Sequence, residues 1–99
     1  MNSEKILSLL GFAAKAGKLS FGTHATTFAT ESGKAKLVLA AADISEKSVK
    51  ELRFKADKQN IQVLILDGIL AADLSKRVGK NCGIVAVNDD SFADAIMKN

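Results

Sequence analysis

Apolar residues in this chain follow two spacings that take turns along its length, one of three and four residues, the other short and unbroken. Ile6, Leu7, Leu9, Leu10, Ala13 and Ala14 form a helical stripe that Ser3 can cap and that ends near Gly17. Lys18–Phe21 fits a short strand. Gly22 then turns the chain, Thr23 can cap a second helix running to Ser32, and Gly33 stops it. Residues 35–41 are almost continuously apolar, as a strand covered on both faces must be. Asp43-Ile44-Ser45 leads into a charged third helix ending near Asn60, with Val49, Leu52 and Ala56 as its stripe and Phe54 to one side. Ile61–Leu66 is the next strand. Asp67-Gly68 makes a turn, Ile69–Val78 a fourth helix stopped by Gly79, and Ile84–Val87 a last strand. Asp90 or Ser91 caps a final helix that carries Phe92, Ala93, Ile96 and Met97.

Strands alternating with helices around one wholly apolar strand predict an α/β fold, a three-layer α/β/α sandwich with a central mixed four-stranded sheet. Without proline, Ser/Gly-rich linker or internal repeat, residues 1–99 are expected to form one domain. No apolar run approaches the ~20 residues that span a bilayer. The start, Met1-Asn2-Ser3-Glu4-Lys5, lacks the features of a secretory leader. Cys82 has no second cysteine to pair with. A cytoplasmic setting without membrane contact is the expectation.

Charge changes the picture modestly. Residues 1–80 carry 13 Lys/Arg against 8 Asp/Glu, while residues 81–99 carry one lysine against three aspartates. A basic body with an acidic last helix can present a positive face to phosphates. With five Phe and no Trp or Tyr, a binder that stacks single-stranded bases on exposed aromatics is poorly supported.

Enzymatic chemistry finds little purchase. Neither a P-loop nor a G-x-G-x-x-G turn is present, so no nucleotide cofactor is expected. Nothing places Cys82 beside His24, the single histidine, as nucleophile and base. One Cys and one His cannot anchor a metal site. Asp89 and Asp90, adjacent in sequence, point apart and suit helix capping better than paired acid–base work. Asp43 follows the central strand, at the edge where open α/β sheets bind ligands, but lacks the acidic cluster of a phosphoacceptor. Helix starts are better candidates. Gly22-Thr23-His24 and Asp43-Ile44-Ser45 each open a helix, and Lys80-Asn81-Cys82-Gly83 links the fourth helix to the last strand. Exposed backbone N–H groups there suit phosphates, with Lys18, Lys34, Lys36, Lys76, Arg77 and Lys80 as possible surrounding cations.

Gly17-Lys18, Gly22-x-x-x-x-Thr27, Gly33-Lys34-Ala35-Lys36-Leu37-Val38-Leu39 and Asp43 together resemble the core block of the kink-turn RNA-binding ribosomal proteins. Leu10 through Lys18, Val78-Gly79-Lys80, and Val85 through Asp89 with Phe92-Ala93 resemble the family's bacterial YlxQ-type branch. The resemblance covers nearly the whole chain in order. It implies an α/β/α sandwich that recognises kinked RNA helices, with RNA as the expected partner, ribosomal proteins as further candidate partners, and no small-molecule substrate. It also implies an Asn-Glu pair after the motif glycine, a lysine further on, an acidic residue after the central strand and a loop before the last strand.

Here Gly22, Thr27 and Asp43 match, but His24 stands at the Asn position, Ala25 at the Glu position and Phe28 at the Lys position. Ala42 replaces a frequent Glu, and Ser20 and Phe21 occupy positions often basic in strong RNA binders. Ala25 and Phe28 have no polar handle for a base edge. A good hydrogen-bonded pair to a base is worth ~1–3 kcal/mol, so each such absence weakens reading by about that much. The expected RNA-binding residues are Lys18, Gly22, Thr23, His24, Thr27, Lys34, Lys36, Asp43, Lys80 and Asn81. Gathering of Lys18, Lys34, Lys36 and Lys80 beside Gly22 favours RNA, whereas an exposed apolar patch around Phe28 favours an interaction or ribosome-assembly module with a protein partner.

Overall fold

The computed structural model describes residues 2–99. Nine elements follow in order: α1 (Ser3–Lys15), β1 (Leu19–Phe21), α2 (Gly22–Glu31), β2 (Leu37–Ala41), α3 (Glu46–Asp57), β3 (Val63–Leu66), α4 (Ala71–Val78), β4 (Ile84–Val87) and α5 (Asp90–Met97). The strands form one mixed sheet in the order β1-β4-β2-β3. β2 pairs in parallel with β3 and antiparallel with β4, which also pairs antiparallel with β1. The expected three-layer sandwich is therefore present.

Because side chains alternate along a strand, β2 and β4 feed two cores. Leu37, Leu39, Val85 and Val87 join Ile6, Leu10, Leu74 and Ile96 beneath α1, α4 and α5. Val38, Ala40, Ile84 and Ala86 join Ala29, Leu52 and Ala56 beneath α2 and α3. Small residues dominate the second core, so α2 lies close on the sheet. Its buried contacts are Thr26, Ala29 and Thr30. The Thr30 hydroxyl donates to the Thr26 carbonyl at 2.8 Å, but the buried Thr26 hydroxyl has no partner.

Several helix starts differ from the sequence expectations. Asn2, not Ser3, caps α1 by accepting from the Lys5 N–H at 3.1 Å. Of the candidates Asp89, Asp90 and Ser91, it is Asp89 that caps α5, accepting from Phe92 N–H at 2.9 Å. Ser45 caps α3 through Ser48 N–H at 3.2 Å. α4 begins at Ala71, two residues later than expected, because the Ile69 carbonyl is taken by the Ala42 N–H at 2.8 Å. Thr23 caps nothing. Gly22, with φ of 85°, turns β1 directly into α2 and leaves Thr23 already inside the first turn.

At the C-terminal end of β2 three loops lock together. Ala41 N–H donates to the Gly83 carbonyl, and Asp43 Oδ1 accepts from Ala71 N–H, both at 2.8 Å. Asp73 caps the same helix by accepting from Leu70 N–H at 3.0 Å. A Cβ on Gly83 would stand 2.5 Å from Ile44 Cδ1 and 3.2 Å from Ala71 Cβ, so a larger residue there must displace the end of the Ile44 side chain. The Ser75 hydroxyl fastens the loop from behind, donating to the Cys82 carbonyl at 2.8 Å and accepting from its N–H at 2.9 Å.

Two stability changes follow. Thr26→Val removes an unpaired buried hydroxyl, whose burial costs ~1–3 kcal/mol. It should raise the melting temperature by roughly 4–8 °C per kcal/mol recovered, and an unchanged or lower value in a thermal melt would refute this. Gly83→Ala should lower the melting temperature by pushing Ile44 out, at about 1 kcal/mol. Adding Ile44→Val, which removes the obstructing methyl, should restore part of that loss.

Candidate nucleic-acid interface

The strand register decides which of the expected residues meet. Phe21 lies opposite Val85 and Leu19 opposite Val87, so Gly22, Thr23 and His24 emerge at the same sheet end as the start of β4. The C-terminal ends of the parallel strands β2 and β3 lie there too. This end therefore gathers Gly22, Thr23 and His24 with Asp43, Lys80 and Asn81. Lys80 Nζ sits 5.5 Å from the Phe21 ring centroid, bringing one cation against the base of α2.

The other lysines are elsewhere. Asn88 N–H donates to the Lys18 carbonyl and Lys36 N–H to the Val87 carbonyl, which fixes both at the opposite end of the sheet. Lys34, whose N–H donates to Ala29 at the end of α2, accompanies them. Lys18, Lys34 and Lys36 thus do not surround Gly22, contrary to the expected grouping; an antiparallel β1–β4–β2 arrangement sends them the other way. Arg77 is also engaged elsewhere, pairing with Glu4 of α1 at 3.1 Å. Thr27 lies one turn along α2 and is half-buried, lining with Thr23 a crevice against Ser48, Glu51 and Lys55 of α3.

Asp43 has a structural task that sequence reading did not give it. Its carboxylate holds the first turn of α4, where an anion also favours the helix dipole. The role of Ser75 was likewise missed, since a serine seven residues from Cys82 carries no local signal. Among the described residues, α2 is the one helix whose first-turn N–H groups have no side-chain acceptor. Uncapped N–H groups, the positive end of the α2 dipole, exposed His24 and Lys80 converge there. An anion such as phosphate suits that setting.

The nucleophile pairing considered from sequence fails on geometry. Cys82 is buried in the core beneath α1, α4 and α5, whereas His24 is exposed on α2 across the sheet. Burial pushes the Cys82 thiol above its ordinary pKa, the opposite of an activated thiolate. Among the described residues, no cluster of three or more His, Cys, Asp or Glu could hold a metal ion. No helix among them is long and apolar enough to cross a membrane.

Comparison with known proteins places this geometry in a lineage. An Enterococcus faecium protein named RNA-binding protein YlxQ is 30% identical over 92 residues, covering 93% of this chain and 87% of that protein. The structure of a protein of unknown function from Bacillus halodurans superposes with a TM-score of 0.88 at 28% identity, covering 95% of this chain and 94% of the other. A Giardia lamblia 15.5kD RNA binding protein shares the fold at a TM-score of 0.76 and 19% identity, covering 97% and 82% of the two chains. The sequence profile of one family matches residues 4–96. With that match spanning both cores and all three interlocked loops, the chain belongs to the ribosomal protein L7Ae/L30e/S12e/Gadd45 family.

Proposed function

We propose that this protein binds structured RNA through the sheet end formed by Gly22–His24, Asp43 and the Lys80–Asn81 loop, in a cytoplasmic, ribosome-associated setting and as one domain over residues 1–99. The observation that carries this is the uncapped start of α2, standing beside Lys80 in a chain of this family. Backbone N–H groups and a lysine position a phosphate, while His24 can donate or accept at a base edge. Asp43 and Gly83 act indirectly by setting the heights of the two flanking loops.

Kink-turn reading is reduced in this proposal. Ala25 and Phe28 are exposed on α2 and offer no hydrogen bond to a base. The placement of Lys18, Lys34 and Lys36 at the far end leaves Lys80 as the expected cation beside Gly22. A second reading, a protein-interaction or assembly module, is favoured by one observation. Phe28 is 72% exposed one turn from His24, as an apolar contact for a protein partner would be.

A titration of the protein with a kink-turn RNA and with a plain duplex, each at two salt concentrations, separates these readings. A kink-turn preference of roughly ten-fold is expected, the worth of one surviving base contact at ~1–3 kcal/mol. Equal affinities that vanish together with salt would leave only phosphate attraction. The double variant Ala25→Glu with Phe28→Lys, at two exposed positions, should tighten kink-turn binding by about ten-fold or more. No gain would mean that this face of α2 does not read the bases of a kink-turn.

A further inference from the structure

Few aromatic residues are present, yet most of them stand on the surface. Of five phenylalanines, Phe12, Phe28 and Phe54 are 62%, 72% and 65% exposed. Phe28 and Phe54 belong to the same layer. α2 buries Thr26, Ala29 and Thr30 against the sheet, and at 100° per residue Phe28 points nearly the opposite way. α3 buries Leu52 and Ala56, which puts Phe54 on its outer line with Lys47 and Lys58, and Lys50 beside them. The two outer faces are contiguous. Phe54 borders a crevice shared with Glu31 of α2, and Gln59 just beyond α3 donates to the Glu31 carbonyl at 3.3 Å.

The charge around these rings selects the partner. Lys58 Nζ stands 4.4 Å above the Phe54 ring. Among the described residues the ion pair within 4.0 Å is Arg77–Glu4, so Lys47, Lys50 and Lys58 close none. Glu46 and Glu51 stand at i,i+4 spacing from Lys50 and Lys47, and Glu31 borders the Phe54 crevice with Lys58, so the face is of mixed charge. None of these pairs closes to 4.0 Å, and with Arg53 and Lys55 the helix keeps an excess of cations. An ordinary apolar protein surface laid over Phe28 and Phe54 would have to strip water from these cations. A single nucleic-acid strand offers both flat bases that stack on aromatic rings and phosphates that pair with lysines.

The geometry points to a second contact surface, on the outer face of α2 and α3, that binds a single-stranded RNA segment. Bases stack on Phe28 and, as Lys58 moves off the ring it covers to a phosphate, on Phe54, while Lys47 and Lys50 hold neighbouring phosphates. This inference rests on the RNA-binding reading above. His24 lies one turn before Phe28 on the same side of α2, so a strand leaving the sheet end passes directly onto this face.

The test uses the full chain, a fluorescently labelled kink-turn RNA with and without a ten-uridine single-stranded extension, and anisotropy titrations across salt. The extension should tighten binding to the wild type. Phe28→Ala with Phe54→Ala should cut that gain about ten-fold or more. Phe28→Leu with Phe54→Leu should cut it similarly, since leucine is apolar but offers no flat face. Replacing Lys47, Lys50 and Lys58 by Ala should flatten the salt slope for the extended RNA by about 2, at ~0.7 per phosphate on a single strand. An unchanged gain in the alanine pair would overturn the surface. So would full retention by the leucine pair together with equally tight binding of a ten-residue poly-glutamate peptide, which would mark a protein-facing site. If Lys80→Ala weakens the unextended RNA while the phenylalanine pairs change nothing, this inference alone fails. If the wild type binds neither RNA, both readings fall.

Discussion

The five residues of β2 are buried throughout, and neighbours hydrogen-bond along both edges of the strand, parallel on one side and antiparallel on the other. Such a strand has no solvated side, so each residue must be apolar and each face must be covered by helices. The two faces are not equivalent. Leu37 and Leu39 meet a bulky layer, whereas Val38 and Ala40 meet α2 and α3 at close range. Because β4 is inserted between β1 and β2, the chain reverses direction twice across the sheet, and that reversal sorts every surface residue to one end or the other.

The functional end follows from this sorting. Three loops that are distant in sequence meet beyond the C-terminal end of β2 and are fixed to one another by backbone hydrogen bonds, the Asp43 carboxylate and the missing side chain of Gly83. Asp43 and Ser75 satisfy polar backbone groups that would otherwise be left bare where the loops pack. The start of α2 alone is left uncapped among the described helices. A frame fixed in this way, with one open set of donors, suits recognition of an anion. Cys82 is shifted in the unreactive direction, by burial.

A second surface emerges from side-chain placement. An amphipathic helix in a small domain normally directs aromatics inward, where they bury the most area. In α2 and α3 the inward positions are taken by Thr26, Ala29, Thr30, Leu52 and Ala56, because the sheet beneath them leaves little depth. Phe28 and Phe54 therefore stand outside, among lysines. The same tight packing explains why the Thr26 hydroxyl is enclosed without a partner.

The order and type of all nine elements were legible in the sequence, since the period of apolar residues reports directly which face of each element is covered. The family resemblance was legible too, in Gly22, Thr27, Gly33 and Asp43. Helix starts were read less well at Ser3, Thr23 and Ser91, where several capping residues stand side by side and a neighbouring strand or carbonyl decides among them. Tertiary structure alone decided the sheet order, and with it the separation of Lys18, Lys34 and Lys36 from Gly22. It also gave Asp43 and Ser75 their partners and left Phe28 and Phe54 exposed. Local patterns record how deeply a residue is buried; which distant residues become its neighbours depends on strand pairing, and that is a contest between long-range arrangements that no short stretch of sequence encodes.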